Sequence, residues 1–167
     1  TMVKSSRLFR HLASAHWQVR RAFPAAAMDD ITAAVRASEA RHLGEIRFVV
    51  EGALDFSSLR RDQSARERAL EVFSLLRVWD TEHNNGVLIY LLFADRDVEI
   101  IVDRGIDARV GAAEWERICR AMEEHFRRRE FVQGVKAGIQ AIDRHLVRHF
   151  PAAGEHRNEL PDRPTVL

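Results

Sequence analysis

Cysteine is almost absent from this chain of 167 residues, where Cys119 stands alone. An intramolecular disulfide is therefore impossible, and the fold must rest on a buried core in what reads as a reducing, cytoplasmic setting. Long apolar runs are missing as well. No stretch approaches the roughly 18–20 apolar residues of a membrane span. The N-terminus carries Lys4, Arg7, Arg10, Arg20 and Arg21 without the apolar segment that a secretory signal needs. Charge of one sign is also lacking: 26 Lys and Arg oppose 25 Asp and Glu, a net of +1. That balance gives no reason to expect nucleic acid or an acidic substrate as partner. Neither the EF-hand spacing nor a phosphate-binding glycine motif ahead of a helix occurs, and no Ser-His-Asp or Cys-His pairing can be read from spacing.

What is present is a 46 % hydrophobic composition, enough at this length for one domain with a real core. The stretch that organises the chain runs from Asn84-Asn85-Gly86 through an unbroken apolar segment to Ala94. Such a run fits a strand covered on both faces. Asp95-Arg96-Asp97 follows, and then residues 98–102 alternate, so the pair reads as a β-hairpin. No glycine sits in the turn, which predicts a loop longer than two residues. Because hairpin strands are antiparallel, the start of the first lies beside the end of the second. Asn84 and Asn85 should therefore meet Asp103 and Arg104.

Upstream, residues 5–22 read as a helix with Leu8, Leu12 and Val19 among basic residues, ended by Pro24. Its basic face suits solvent or a homodimer contact, with an anionic partner as the alternative. A second helix over 25–42 buries Met28, Ile31, Val35 and Ser38. Glu45–Val50 is a strand with Ile46, Phe48 and Val50 on one face, and residues 51–63 form a loop. Ser64 with Glu67 makes a capping box that opens a helix to about residue 77, with Ala69, Val72, Phe73 and Leu76 buried. Strand, helix and strand make a crossover, so the first strand should lie parallel to 86–94. That pairing gathers Glu45, Asn84, Asn85 and Asp103 at one rim of the sheet, where the preceding connection also delivers Asp80 and Glu82. Two helices close the domain. One buries Trp115, Ile118, Cys119, Met122 and Phe126, and the other buries Phe131, Val135, Ile139, Ile142 and Leu146, with Gly134 and Gly138 allowing close packing. Gly154, Pro161 and Pro164 suggest a loose tail over 151–167.

Carboxylates and amides suit a hard cation, Ca²⁺ or Mg²⁺, better than zinc. The rim has a plainer reading too, in which Asn84-Asn85-Gly86 is a turn and Asp103 pairs with an arginine. Arg66 and Arg68 oppose the helix dipole in their first turn, which points to an acidic partner or a phosphate oxyanion. His145 and His149 read as surface residues, Cys119 as inert packing, Trp79 and Trp115 as fillers of core or rim gaps, and Arg127-Arg128-Arg129 as a solvated helix end.

Residues 44–150 resemble the TPM domain family, whose members include thylakoid lumen, photosystem-repair and membrane-receptor auxiliary proteins. The resemblance is carried by Gly44-Glu45-Ile46-Arg47-Phe48-Val49-Val50, by Asn84-Asn85-Gly86-Val87-Leu88-Ile89, by Val98-Glu99-Ile100 through Gly105, and by Phe126 with Phe131-Val132-Gln133-Gly134-Val135. It implies an α/β fold, a three-layer α/β/α sandwich with a small mixed β-sheet, here with an N-terminal helical extension over 1–43. It also implies phosphatase activity, from plant members, and a calcium or magnesium site in some bacterial ones. The family commonly has Asp-Asn-Gly where this chain has Asn84-Asn85-Gly86, whereas Asp103 adds a carboxylate that many members lack. The signal peptide and terminal membrane helix frequent in the family are not matched.

On this resemblance the chain is expected to be a divalent-metal-dependent phosphatase acting on phosphate monoesters. The metal set is Glu45, Asp80, Glu82, Asn84, Asn85 and Asp103, and the ion would polarise the phosphoryl group and acidify a bound water. Asp103, Arg104 and Arg66 are the expected catalytic residues, the arginines steadying phosphoryl oxygens. The alternative is a non-catalytic calcium-binding or partner-docking module, and a third reading keeps the rim as turn chemistry alone.

Overall fold

A computed structural model of the chain describes residues 2–13, 16–154 and 157–167. The sheet is built around β2 (Gly86–Leu92). β2 pairs in parallel with β1 (Glu45–Glu51), in the register Glu45 to Gly86, and antiparallel with β3 (Asp97–Val102), in the register Val87 to Val102. The sheet order is β3-β2-β1-β4, with β4 (Thr165–Val166) added in parallel beside Val49 and Val50. Every residue of β1 and β2 is buried. That is the condition for an apolar run without alternation: Val87, Ile89 and Leu91 enter one core and Leu88, Tyr90 and Leu92 the other.

The larger core lies under α3 (Ala25–Glu39), α6 (Arg104–Val110), α7 (Ala112–Arg127) and α8 (Phe131–His149). The apolar stripes read from the sequence of α7 and α8 are the faces they bury. A Cβ on Gly138 would meet Met122 Sδ at 2.4 Å and one on Gly134 would meet the Phe126 ring at 2.7 Å, so glycine sets how near α7 and α8 lie. The smaller core lies under α5 (Ala65–Leu75), which opens with the expected Ser64–Glu67 capping box. Helices on both faces of a mixed sheet make the three-layer α/β/α sandwich.

Three features differ from expectation or narrow it. The loop over 51–63 contains a short helix, α4 (Phe56–Arg60), capped by Asp55 accepting the Ser58 N–H. Of the two places expected for Trp79, core or rim, the core is excluded: it is 48 % exposed, beneath the Arg77 guanidinium. The described part of the C-terminal segment is not loose: Leu160 is buried and β4 extends the sheet, because Thr165 and Val166 offer an extended β-forming pair to the free edge of β1.

The N-terminal helices α1 (Met2–Ala13) and α2 (His16–Ala22) pack on the hairpin end of the sheet. Arg7 Nε and Arg10 Nη2 donate to Asp95 at 2.9 and 3.0 Å, and buried His11 accepts the Leu54 N–H at 3.0 Å. The basic face of α1 therefore meets an acid of its own chain. Among the described residues no helix is long and apolar enough to cross a membrane.

Candidate functional site

The rim forms where β1 and β2 begin and β3 ends. Asp103 N–H donates to the Gly86 carbonyl at 2.9 Å, and Glu45 lies opposite Gly86 in the neighbouring strand. Asn84, with φ of 50°, takes the left-handed turn that asparagine tolerates. Its carbonyl comes so near Gly105 that a Cβ there would lie 2.4 Å away. Hairpin and crossover thus bring Glu45, Asn84, Asn85, Asp103 and Arg104 to one edge, as the strand pairing demands.

Neighbourhood does not make them one ligand set. Glu45 is fully buried, and its two carboxylate oxygens accept the backbone N–H groups of Glu159 and Leu160 at 3.1 and 3.0 Å. Asp80 is exposed and bound by Arg77 at 2.6 Å. Glu82 is also exposed, and its N–H donates to the Glu159 carboxylate at 3.1 Å. Among the described residues no three His, Cys, Asp or Glu side chains form a group able to hold a metal.

Two oxygens at the rim are left over. Asn85 is fully buried; its Nδ2 donates to the Leu43 carbonyl at 3.0 Å, while Oδ1 has no partner among the described residues. Asp103 caps α6, its Oδ1 accepting the Arg104 N–H at 2.7 Å, and its buried Oδ2 is likewise unpartnered. A buried acceptor without a donor is costly. Two such acceptors, one a carboxylate oxygen, fit a hard cation in chemical type.

The expected arginines divide. Arg104 is exposed beside Asp103. Arg66 lies along the open edge of β3, where its Nη1 meets Glu99 at 3.0 Å, and Arg68 clasps Glu51 through two bonds of 2.9 and 3.1 Å. Both first-turn arginines thus find acidic partners within the chain.

Behind the rim, Glu39 was not anticipated from the sequence. Its Oε1 accepts the Ile46 N–H at 2.7 Å, and burial, with Glu45 and Asp162 nearby, pushes its carboxyl up to about 9. It stands as a neutral acid at pH 7. The only sequence signal was its position, at the buried end of an amphipathic helix facing a strand start. A groove of about 580 Å³ lies not at the rim but along β3, between Arg66 and the α7 residues Trp115, Cys119 and Glu123. There burial, with Glu99 and Glu123 adding to it, pushes Asp97 up to about 6, and burial pushes the Cys119 thiol up to about 12. A thiol so placed is inert.

Comparison with known proteins agrees with this architecture. The chain is similar in structure to the BA42 protein of the psychrophilic bacterium Bizionia argentinensis, with a TM-score of 0.76 and 29 % identity over 87 % of this chain and 95 % of that one. It is also similar to the N-terminal domain of a protein from P. gingivalis, at a TM-score of 0.60 and 19 % identity over 77 % of this chain and 81 % of that one, a likeness that bears on the fold alone. No curated protein matches the sequence. The TPM domain family matches residues 20–145, a span that begins in α2 and reaches into α8. This chain belongs to the TPM domain family.

Proposed function

We propose that this TPM-domain chain is a cation-binding module that takes one hard divalent ion, Ca²⁺ or Mg²⁺, at the rim. The observation that carries the reading is the pair of buried, unpartnered oxygens, Asn85 Oδ1 and Asp103 Oδ2, at the start of β2 and the end of β3. These two side chains would hold the ion, with water completing its shell. A bound ion would neutralise Asp103 and satisfy both acceptors. With one carboxylate in the set, affinity belongs near the weak end of oxygen sites, at about 10⁻⁴–10⁻³ M.

Hydrolysis of phosphate monoesters is the second reading, and exposed Arg104 beside Asp103 favours it, since a guanidinium there could meet phosphoryl oxygens. The first is better supported because the remaining parts are committed elsewhere: Arg66 to Glu99, Asp80 to Arg77, and Glu45 to the C-terminal backbone.

The test is calorimetric titration of Ca²⁺ and Mg²⁺ into chelator-stripped protein, with Asp103→Ser as the control. Serine keeps a helix cap but removes the second oxygen. Binding that disappears in the variant supports the module, and wild-type protein that takes up neither ion overturns it. Metal-dependent turnover of an aryl phosphate, lost in Asp103→Ser and Arg104→Gln, would establish the second reading instead.

A further inference from the structure

At the opposite end of β2 from the rim, about 20 Å along the strand, a cavity of about 490 Å³ opens between α2, the hairpin turn and the start of α8. Its lining is apolar and aromatic, with Phe93 and Phe131 packed on the core, their ring centroids 5.2 Å apart, and Trp17 at the mouth. Its charged lining is of one sign, the guanidinium groups of Arg21, Arg96 and Arg129.

Of the carboxylates adjacent in sequence to these arginines, Asp97 lines the separate groove along β3, and the other two are paired within the chain. Asp95 is bound by Arg7 and Arg10, and Glu130 holds His125 Nδ1 at 2.7 Å. Arg21, Arg96 and Arg129 themselves have no ion pair or hydrogen-bonded side chain among the described residues. Arg96 and Arg129 also sit at φ of 53° and 62°, a conformation unfavourable for arginine. The hairpin turn and the end of α7 thus present two unpaired cations to one cavity. In a chain with net charge +1, three unopposed guanidiniums around one aromatic cavity are a local concentration rather than a general excess.

We propose that this cavity, formed by Trp17, Phe93, Phe131, Arg21, Arg96 and Arg129, binds a phosphate monoester carried on a planar aromatic body, the chemistry of a nucleoside monophosphate. The guanidiniums take the phosphate dianion in bidentate fashion. Trp17, 59 % exposed at the mouth, supplies a face on which the ring stacks. The volume lies within the range of small-molecule sites. The site shares no residue with the rim, and its occupancy does not depend on a cation there.

The experiment is calorimetric titration of chelator-stripped protein with adenosine 5′-monophosphate, adenosine and inorganic phosphate separately. The nucleotide binds, and each half binds at least about tenfold more weakly, because each meets only part of the site. Arg96→Asn and Arg129→Asn each weaken nucleotide binding at least about fivefold, while the melting temperature holds or rises, since asparagine tolerates the left-handed backbone. The proposal is overturned if the nucleotide does not bind at millimolar concentration, or binds no tighter than inorganic phosphate. It is equally overturned if both asparagine variants bind like the wild type, or if the protein binds anionic phosphatidylserine vesicles but not the nucleotide. Removing the rim carboxylate with Asp103→Ser leaves nucleotide binding unchanged, so this site and the cation site succeed or fail separately.

Discussion

Glu39 and Ile46 join the last turn of α3 to the first residues of β1 through a carboxyl oxygen that accepts a strand N–H at 2.7 Å. The bond spans only seven residues in sequence, yet it fixes where the sheet begins relative to the helix that covers it. Because burial holds the Glu39 proton up to about 9, the group that makes this contact at neutral pH is the neutral acid.

A pH dependence follows from that shift. The folded value lies above the ordinary value of 4.5, so the folded state binds the extra proton. The stabilisation is complete below pH 4.5 and is lost as pH rises toward about 9, at up to about 1.4 kcal/mol per unit. Glu39→Gln, which keeps the carbonyl acceptor and cannot ionise, should remove this slope. Thermal melts at pH 5 and pH 8 are expected to show the variant gaining on the wild type at the higher pH. Parallel loss of stability in the two proteins would disprove the assignment.

The second core has its own polar anchor. Glu51, at the end of β1, is clasped by Arg68 from α5 and accepts the Tyr90 hydroxyl at 2.5 Å. Burial, with the Glu51 hydrogen bond, raises the Tyr90 phenol above its ordinary value, so it remains a donor throughout the accessible range. Removing Arg68 strands a nearly buried carboxylate, whereas removing the hydroxyl leaves the ion pair intact. Arg68→Ala is therefore expected to cost about 3–5 kcal/mol, and Tyr90→Phe about 1–2 kcal/mol. Urea unfolding of both variants checks the order, and an equal or reversed cost would mean that the hydroxyl, not the guanidinium, holds Glu51.

What could be read before the structure follows from the range of each interaction. The β2–β3 hairpin, the parallel β1–β2 crossover and the stripes of α7 and α8 depend on local periodicity and chain geometry, and they occur as expected. The placement of Asn84, Asn85 and Asp103 at one rim followed from the same geometry. Their chemical state did not. Glu45 looked like a ligand because its partners, the Glu159 and Leu160 amides, lie more than a hundred residues away. The Arg21, Arg96 and Arg129 cavity was hidden for a like reason, being assembled from three separate elements. One signal was there to be used: Thr165-Val166-Leu167 is a short β-forming run beyond a proline, consistent with an edge strand.

That C-terminal run supports the last prediction. Leu160 is buried in the second core, and the Glu159 and Leu160 N–H groups cap the Glu45 carboxylate. Arg47, itself nearly buried, donates to the Pro161 carbonyl at 3.0 Å and to Thr165 Oγ1 at 2.8 Å. Removing residues 157–167 would withdraw all of these at once and uncover the edge of β1 at Val49 and Val50. Leu160→Ala alone is expected to cost about 2–5 kcal/mol. The truncated chain should lose more than that, and it should also self-associate, because an uncovered apolar strand edge pairs with another. Urea unfolding measures the first effect and sedimentation velocity the second. A truncated protein that is monomeric and as stable as the full chain would show that the segment rests on the sheet without holding it.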